Sequence, residues 1–97
     1  MKIYRIIELT DGKLTKCHNT FQLSMGTLNE ALDKVVNEYL DKGMTLSACH
    51  HRPHRKRIWM DGEGFVEIRI IERLYSMNPT SGKMSRLTIG VIEYDAQ

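Results

Sequence analysis

A single amphipathic helix stands between segments that have the composition of β-strands, and this arrangement limits the folds open to the chain. Its apolar residues recur at spacings of three and four: Leu28, Ala31, Leu32, Val35, Val36, Tyr39 and Leu40. Thr27 and Glu30 have the spacing of a capping box, which predicts a helix over residues 27–42 that begins at Thr27. Gly43 predicts a left-handed residue at its end.

The remaining segments are rich in β-branched and aromatic residues, and they predict two strands before the helix and four after it. Asp11 and Gly12 separate the first two strands and predict a type I′ hairpin turn, because both positions of that turn need a positive φ. With a two-residue loop, Ile6 is expected to lie opposite Cys17, and His18 on the other face of the sheet.

Alternation along the longest predicted strand, residues 65–75, assigns one set of apolar side chains to one face: Val66, Ile68, Ile70 and Leu74. In the last strand, the inward residues are Leu87, Ile89 and Val91. The order β-β-α-β-β-β-β contains too few helices for parallel crossovers, so it predicts one α+β two-layer domain over residues 1–97, with a mostly antiparallel sheet. One helix covers only part of six strands. We expect the remainder to be curled or covered by a second copy of the chain.

The basic residues are concentrated in one short segment. The formal net charge is only +2, from 14 Lys and Arg against 12 Asp and Glu. Residues 50–57 hold four of those basic residues, three of the four histidines and no acid, which leaves 10 basic residues against 12 acidic ones elsewhere. An anionic partner responds to such a local potential more than to the overall sum.

This segment is therefore the predicted binding site for an anionic partner, either nucleic acid or an acidic protein surface. Its residues are His50, His51, Arg52, His54, Arg55, Lys56, Arg57 and Trp59. The cations are expected to contact phosphates, the histidines to donate hydrogen bonds, and Trp59 to offer a stacking surface. Four phosphate contacts predict a log–log salt slope of about −3 to −4. The alternative is a solvated sheet edge, where Lys and Arg prevent pairing between molecules.

Two Cys-His dipeptides, Cys17-His18 and Cys49-His50, raise the alternative of a zinc site. Adjacent strand residues point to opposite faces of a sheet, so such a dipeptide is poorly placed to chelate one ion. There is also no C-x-x-C pair. We therefore expect no metal and no cofactor.

Catalysis has little support in the sequence. A P-loop, G-x-G-x-x-G, G-x-S-x-G and H-E-x-x-H are all absent. His50, His51 and His54 beside arginines leave a His-dependent ribonuclease as a third hypothesis, with histidine as acid and base and arginine on the phosphate. The residues nevertheless favour a binding module without catalytic activity.

Other classes are excluded by composition. No apolar run approaches the ~20 residues of a membrane span, and two cysteines do not make a disulfide scaffold. We expect a cytoplasmic location. In size and style, the chain is similar to the small single-domain accessory proteins of phages and mobile elements. That resemblance implies a second hypothesis, a small homodimeric phage-type inhibitor or adaptor that binds and blocks a host protein.

Overall fold

The computed structural model describes residues 1–47 and 54–95. Its elements are β1 (Lys2–Thr10), β2 (Lys13–Gln22), α1 (Met25–Asp41), β3 (Thr45–Leu46), β4 (Arg55–Met60), β5 (Gly64–Met77) and β6 (Met84–Asp95). All strands in the described ranges join one antiparallel sheet in the order β2-β1-β6-β5, and both β3 and β4 pair with the free edge of β5. The predicted α+β class, with one helix packed against an antiparallel sheet, is confirmed.

Helix α1 begins earlier than the capping-box pattern predicts. Ser24, in an extended conformation, is the N-cap, and its Oγ accepts a hydrogen bond from the backbone N of Thr27 at 3.1 Å. Thr27 already lies inside the first turn, so its prediction as the helix start is wrong. Gly43 has a φ of 93°, which confirms the left-handed residue after the helix end. No helix in the described ranges has both the length and the apolar character to cross a membrane.

One face of the sheet packs against α1. The buried residues of this first core are Tyr4, Ile6, Leu28, Leu32, Val35, Leu74, Leu87, Ile89 and Val91. They come from the apolar stripe of the helix and from alternate positions of β1, β5 and β6. The predicted inward face of the last strand is therefore confirmed.

The opposite face of the sheet is also filled, although no described helix lies over it. Its buried residues are Ile7, Leu9, Ile58, Met60, Ile68, Ile70 and Ile92. Two strands separate β1 from β4 in the sheet, yet the β1–β2 turn reaches β4: a Cβ placed on Gly12 would lie 3.7 Å from Lys56 Nζ. A flat sheet would hold β1 and β4 about 14 Å apart. The sheet therefore curls, and its concave face encloses this second core.

The first hairpin turns where the sequence predicts. Asp11 and Gly12 have φ values of 49° and 85°, as a type I′ turn requires. Beyond the turn, register shifts add residues to β2, and Cys17 then lies opposite Ile7. The predicted pairing of Cys17 with Ile6 is wrong for that reason.

A second bulge divides the apolar side chains of β5 between the two cores. The register with β6 shifts between Ile70 and Glu72. Ile68 and Ile70 consequently point into the second core, whereas Leu74 packs against the helix in the first core. The prediction that Leu74 shares a face with Ile68 is wrong, because one extra residue reverses the alternation beyond the bulge.

Candidate nucleic-acid interface

The predicted basic site is only partly within the described residues. His50, His51 and Arg52 lie outside them. His54 is exposed just before β4, and its carbonyl oxygen accepts a hydrogen bond from the backbone N of Ile70 at 2.6 Å. His54 therefore helps to attach the start of β4 to β5.

Strand alternation separates the cations of β4. Arg55 pairs with Arg69 of β5, and Arg69 in turn lies opposite Val91 of β6, a residue of the first core. Side chains of directly paired residues share a face, so Arg55 lies on the helix side of the sheet, beyond the area that α1 covers. Lys56 points to the concave face instead. The cations that are consecutive in the sequence are therefore divided between the two faces of the sheet.

The outer surface of the β4–β5 hairpin gathers six exposed side chains, which we call the hairpin face. They are Arg55, Arg57, Trp59, Phe65, Glu67 and Arg69. Their backbones are held by the antiparallel ladder on either side of a tight turn. A sheet surface of this kind presents side chains in fixed positions, with little reorganisation needed for binding.

An aromatic pair lies at the turn end of the hairpin face. Trp59 is 59% exposed and Phe65 is 66% exposed. The two rings are cross-strand neighbours with centroids 5.2 Å apart and an interplanar angle of 76°. Arg57 Cζ lies 5.4 Å from the centroid of the Phe65 ring, within the range of a cation–π contact. The indole Nε1 donates to Asp61 Oδ1 at 3.3 Å, which helps to orient the larger ring.

Positive charge lies beside these rings on the side away from the turn, whereas the turn itself carries Asp61 and Glu63. Arg55 Nη1 donates to Glu67 Oε1 at 2.7 Å, but both side chains are largely exposed, so the pair adds little stability and is readily exchanged for another anion. Among the described residues, no carboxylate lies within ion-pair distance of Arg57 or Arg69. The hairpin face therefore carries three arginines against one glutamate.

Sequence reasoning missed Phe65, Glu67 and Arg69 as members of this surface. Their positions depend on the length of the loop between β4 and β5, which the glycine-rich sequence leaves open. The structure turns the chain within residues 61–63 and pairs Met60 with Gly64. That register sets Phe65 directly across from Trp59.

A separate polar cluster lies between the helix and the sheet. Glu8, only 2% exposed, accepts a hydrogen bond from the hydroxyl of Tyr39 and lies 2.6 Å from Nε2 of His18. Burial, with the adjacent Glu8 carboxylate, raises the pKa of Tyr39 to about 12. The carboxylate is thus satisfied within the fold and connects α1, β1 and β2.

Of the residues weighed for zinc, Cys17 is a free, half-buried thiol beside the second core. Cys49 and His50 lie outside the described residues. Across residues 1–47 and 54–95, no three side chains of His, Cys, Asp or Glu come together in a way that could hold a metal ion.

Comparison of the chain with protein-family models, with curated proteins and with solved structures found no match.

Proposed function

We propose that this protein binds single-stranded nucleic acid, without catalysis, through the hairpin face. The observation that carries the proposal is the exposed Trp59–Phe65 pair, with arginines beside it on the side away from the turn. Bases stack on aromatic rings, and phosphates contact the neighbouring guanidinium groups.

Exposure of the two rings is the first support. The large apolar side chains of β4 and β5 that face the cores are buried, including Ile58, Met60 and Ile68. Trp59 and Phe65 lie on the opposite face of the same strands and are exposed, which forfeits the burial energy of two large rings. An adjacent exposed aromatic pair on a rigid sheet is a surface suited to partner binding.

The distribution of charge is the second support. The outer side of α1 carries exposed acids at Glu30, Asp33, Glu38 and Asp41. The hairpin face, by contrast, has an excess of arginine. A polyanion is therefore drawn to the hairpin and repelled by the helix.

The combination favours nucleic acid over an acidic protein surface as the anionic partner. An acidic protein surface would pair with the arginines, but it gives no general reason for two aromatic rings to be exposed beside them. Every base has a π face, so an aromatic pair contributes whatever the sequence, and single strands leave those faces available. Base stacking contributes about 1–3 kcal/mol per base.

Trp59 allows a direct test, because it is the only tryptophan of the chain. Titration with a single-stranded oligonucleotide should quench its fluorescence and saturate. A duplex of the same sequence should bind more weakly. A base-free polyanion such as polyglutamate should leave the emission nearly unchanged. Equal affinity for polyglutamate would overturn the proposal in favour of an acidic protein partner.

Variants separate stacking from general charge, with anisotropy of a labelled single strand as the readout. Phe65→Ala should weaken binding about 5- to 150-fold, the equivalent of one lost base stack. The matched control is the double variant Met77→Ala with Met84→Ala, because these residues are also exposed, apolar and paired across β5 and β6. That control should bind like wild type. Unchanged affinity in Phe65→Ala would contradict the proposal.

Salt dependence tests the arginines. With two or three phosphate contacts to a single strand, the log–log slope should be about −1.4 to −2. Arg57→Gln with Arg69→Gln should reduce that magnitude by about 1.4. The charge-matched control, Lys16→Gln with Lys34→Gln, removes two exposed lysines from β2 and α1 and should keep the slope. Equal slopes in the two double variants would count against the hairpin face.

The other hypotheses stay predictions. The chain itself fills the concave face, which weakens the argument that a second copy covers it. A homodimeric inhibitor would show a dimer by light scattering at high salt.

The ribonuclease hypothesis needs His51 and His54, and His51 lies outside the described residues. Cleavage of RNA lost in His54→Ala would favour that hypothesis. A cytoplasmic location is part of the main proposal.

A further inference from the structure

The concave face changes from apolar to basic along its length. At one end of the concave face lies the second core, to which β6 contributes Ile92, with Gly90 next on the same face of that strand. Continuing along β6 on the same face come Thr88 and then Arg86. Arg73 of β5 pairs with Thr88 and so shares that face. The second core therefore opens at this end into a cleft with cationic walls.

This cleft has a volume of about 190 Å³ and is built by several elements. Lys56 from β4, Arg73 from β5 and Arg86 from β6 line it, and Arg55 lies at the border with the hairpin face. Gly12 of the β1–β2 turn forms part of the opposite wall. Since Gly12 has no side chain, the turn approaches Lys56 without closing the opening.

The carboxylates close to this cleft lie outside its lining. No carboxylate lines it among the described residues. The nearest acid on the turn is Asp11, whose Oδ1 accepts a hydrogen bond from the backbone N of Arg86 at 2.9 Å. Glu67 engages Arg55 on the other side of the sheet. Three strands therefore contribute cations to the cleft, and no carboxylate of the described residues is part of its lining.

We propose that this cleft binds a phosphate group. Guanidinium and ammonium donors converge there from strands whose backbones the ladder holds rigid, and Thr88, 6% exposed, lines the cleft beside them. Arginine matches the oxygens of a phosphate with two parallel hydrogen bonds. The site lies on the opposite face from the Trp59–Phe65 pair, so it does not rest on the proposed nucleic-acid function.

The first test uses inorganic phosphate as the probe and amide chemical shifts as the readout, at constant ionic strength. Saturable shifts should appear at Gly12, Lys56 and Arg86. Lys56→Gln with Arg86→Gln should weaken phosphate binding at least about tenfold, since each change removes a charged hydrogen-bond donor. The control pair Lys16→Gln with Lys34→Gln should bind as wild type does. Linear shifts spread over all basic residues would overturn the site.

If the double variant does not fold, the single variant Lys56→Gln replaces it, because Lys56 is exposed and its loss leaves the cores intact. Its phosphate affinity should again fall about tenfold. An affinity equal to that of wild type would overturn the proposal.

A second arm identifies the source of the phosphate. A short single strand is compared with and without a terminal phosphate, against wild type and against the double variant Trp59→Ala with Phe65→Ala. Tighter binding of the phosphorylated strand by wild type assigns the cleft to a strand end. If wild type binds a free nucleotide more tightly than either strand and does not prefer the phosphorylated strand, the cleft is assigned to a small molecule. Phosphate binding that survives in the aromatic variant supports the cleft even if the hairpin face fails.

Discussion

The hydroxyl of Tyr39 on α1 donates a hydrogen bond to the carboxylate of Glu8 on β1, and the imidazole of His18 on β2 engages the same carboxylate. Glu8 is 2% exposed, so its charge is removed from water. A buried carboxylate is tolerated only where partners replace its hydration. This contact therefore holds the helix in one position on the sheet, and it identifies a group whose loss can be measured.

Tyr39→Phe should lower the free energy of unfolding by about 1–3 kcal/mol, because Glu8 is left buried with one partner fewer. Urea denaturation measures this change. Tyr94→Phe is the comparison: its hydroxyl donates to Glu63 Oε1 at 2.8 Å in an exposed contact. Its effect should be smaller, at most about 1 kcal/mol. Equal losses of unfolding free energy in the two variants would show that the buried Glu8 carboxylate does not need the Tyr39 hydroxyl as a partner.

Alkaline pH should weaken the same contact. The pKa of Tyr39 is raised from 10.0 to about 12 by burial and by the Glu8 carboxylate. Because the folded state holds the proton more tightly, this stabilisation is complete below pH 10 and is lost between pH 10 and about 12. The stability difference between wild type and Tyr39→Phe, measured by denaturation across this range, should therefore shrink. A difference independent of pH would contradict the assignment.

Gly90→Ala should destabilise the fold by about 1–3 kcal/mol through overpacking. A Cβ at this position would lie 3.1 Å from Ile68 Cδ1 and 3.3 Å from the carbonyl oxygen of Arg69. The backbone oxygen cannot move without disturbing the pairing of β5 with β6. Thermal unfolding followed by circular dichroism measures the change.

The control for Gly90→Ala is Gly26→Ala in the first turn of α1. The nearest atom to its added Cβ is Ser24 Oγ at 3.8 Å, an ordinary contact. This variant should be neutral or stabilising by up to about 1 kcal/mol, because alanine favours the helix. A destabilised Gly26→Ala alongside an unaffected Gly90→Ala would reverse the packing argument.

Ser24→Ala should cost about 1 kcal/mol of unfolding free energy, since the variant loses the N-cap acceptor for the backbone N of Thr27. Thr27→Ala should cost less, because its hydroxyl is not the N-cap acceptor and alanine has the higher helix propensity. Chemical denaturation of both variants distinguishes the two cap positions. A larger loss in Thr27→Ala would favour the capping box that the sequence suggests.

The hairpin face shows how far the sequence leads toward a site. The basic segment is visible from composition, and Trp59 is visible as a neighbouring aromatic. Phe65 and Arg69 join them only through the register of β4 with β5, and Lys56 leaves them through the alternation of β4. Glycines allow several lengths for the loop between β4 and β5, and no local sequence pattern specifies which one forms.

The sequence by itself determined the features that depend on neighbours along the chain: the apolar stripe of α1, the type I′ turn at Asp11 and Gly12, the β-rich segments and the concentration of charge. The tertiary structure alone decided which face each side chain occupies. Bulges in β2 and β5 reverse the alternation, and the curl of the sheet encloses a second core. These choices come from packing between strands distant in sequence, and that packing energy has no local signature.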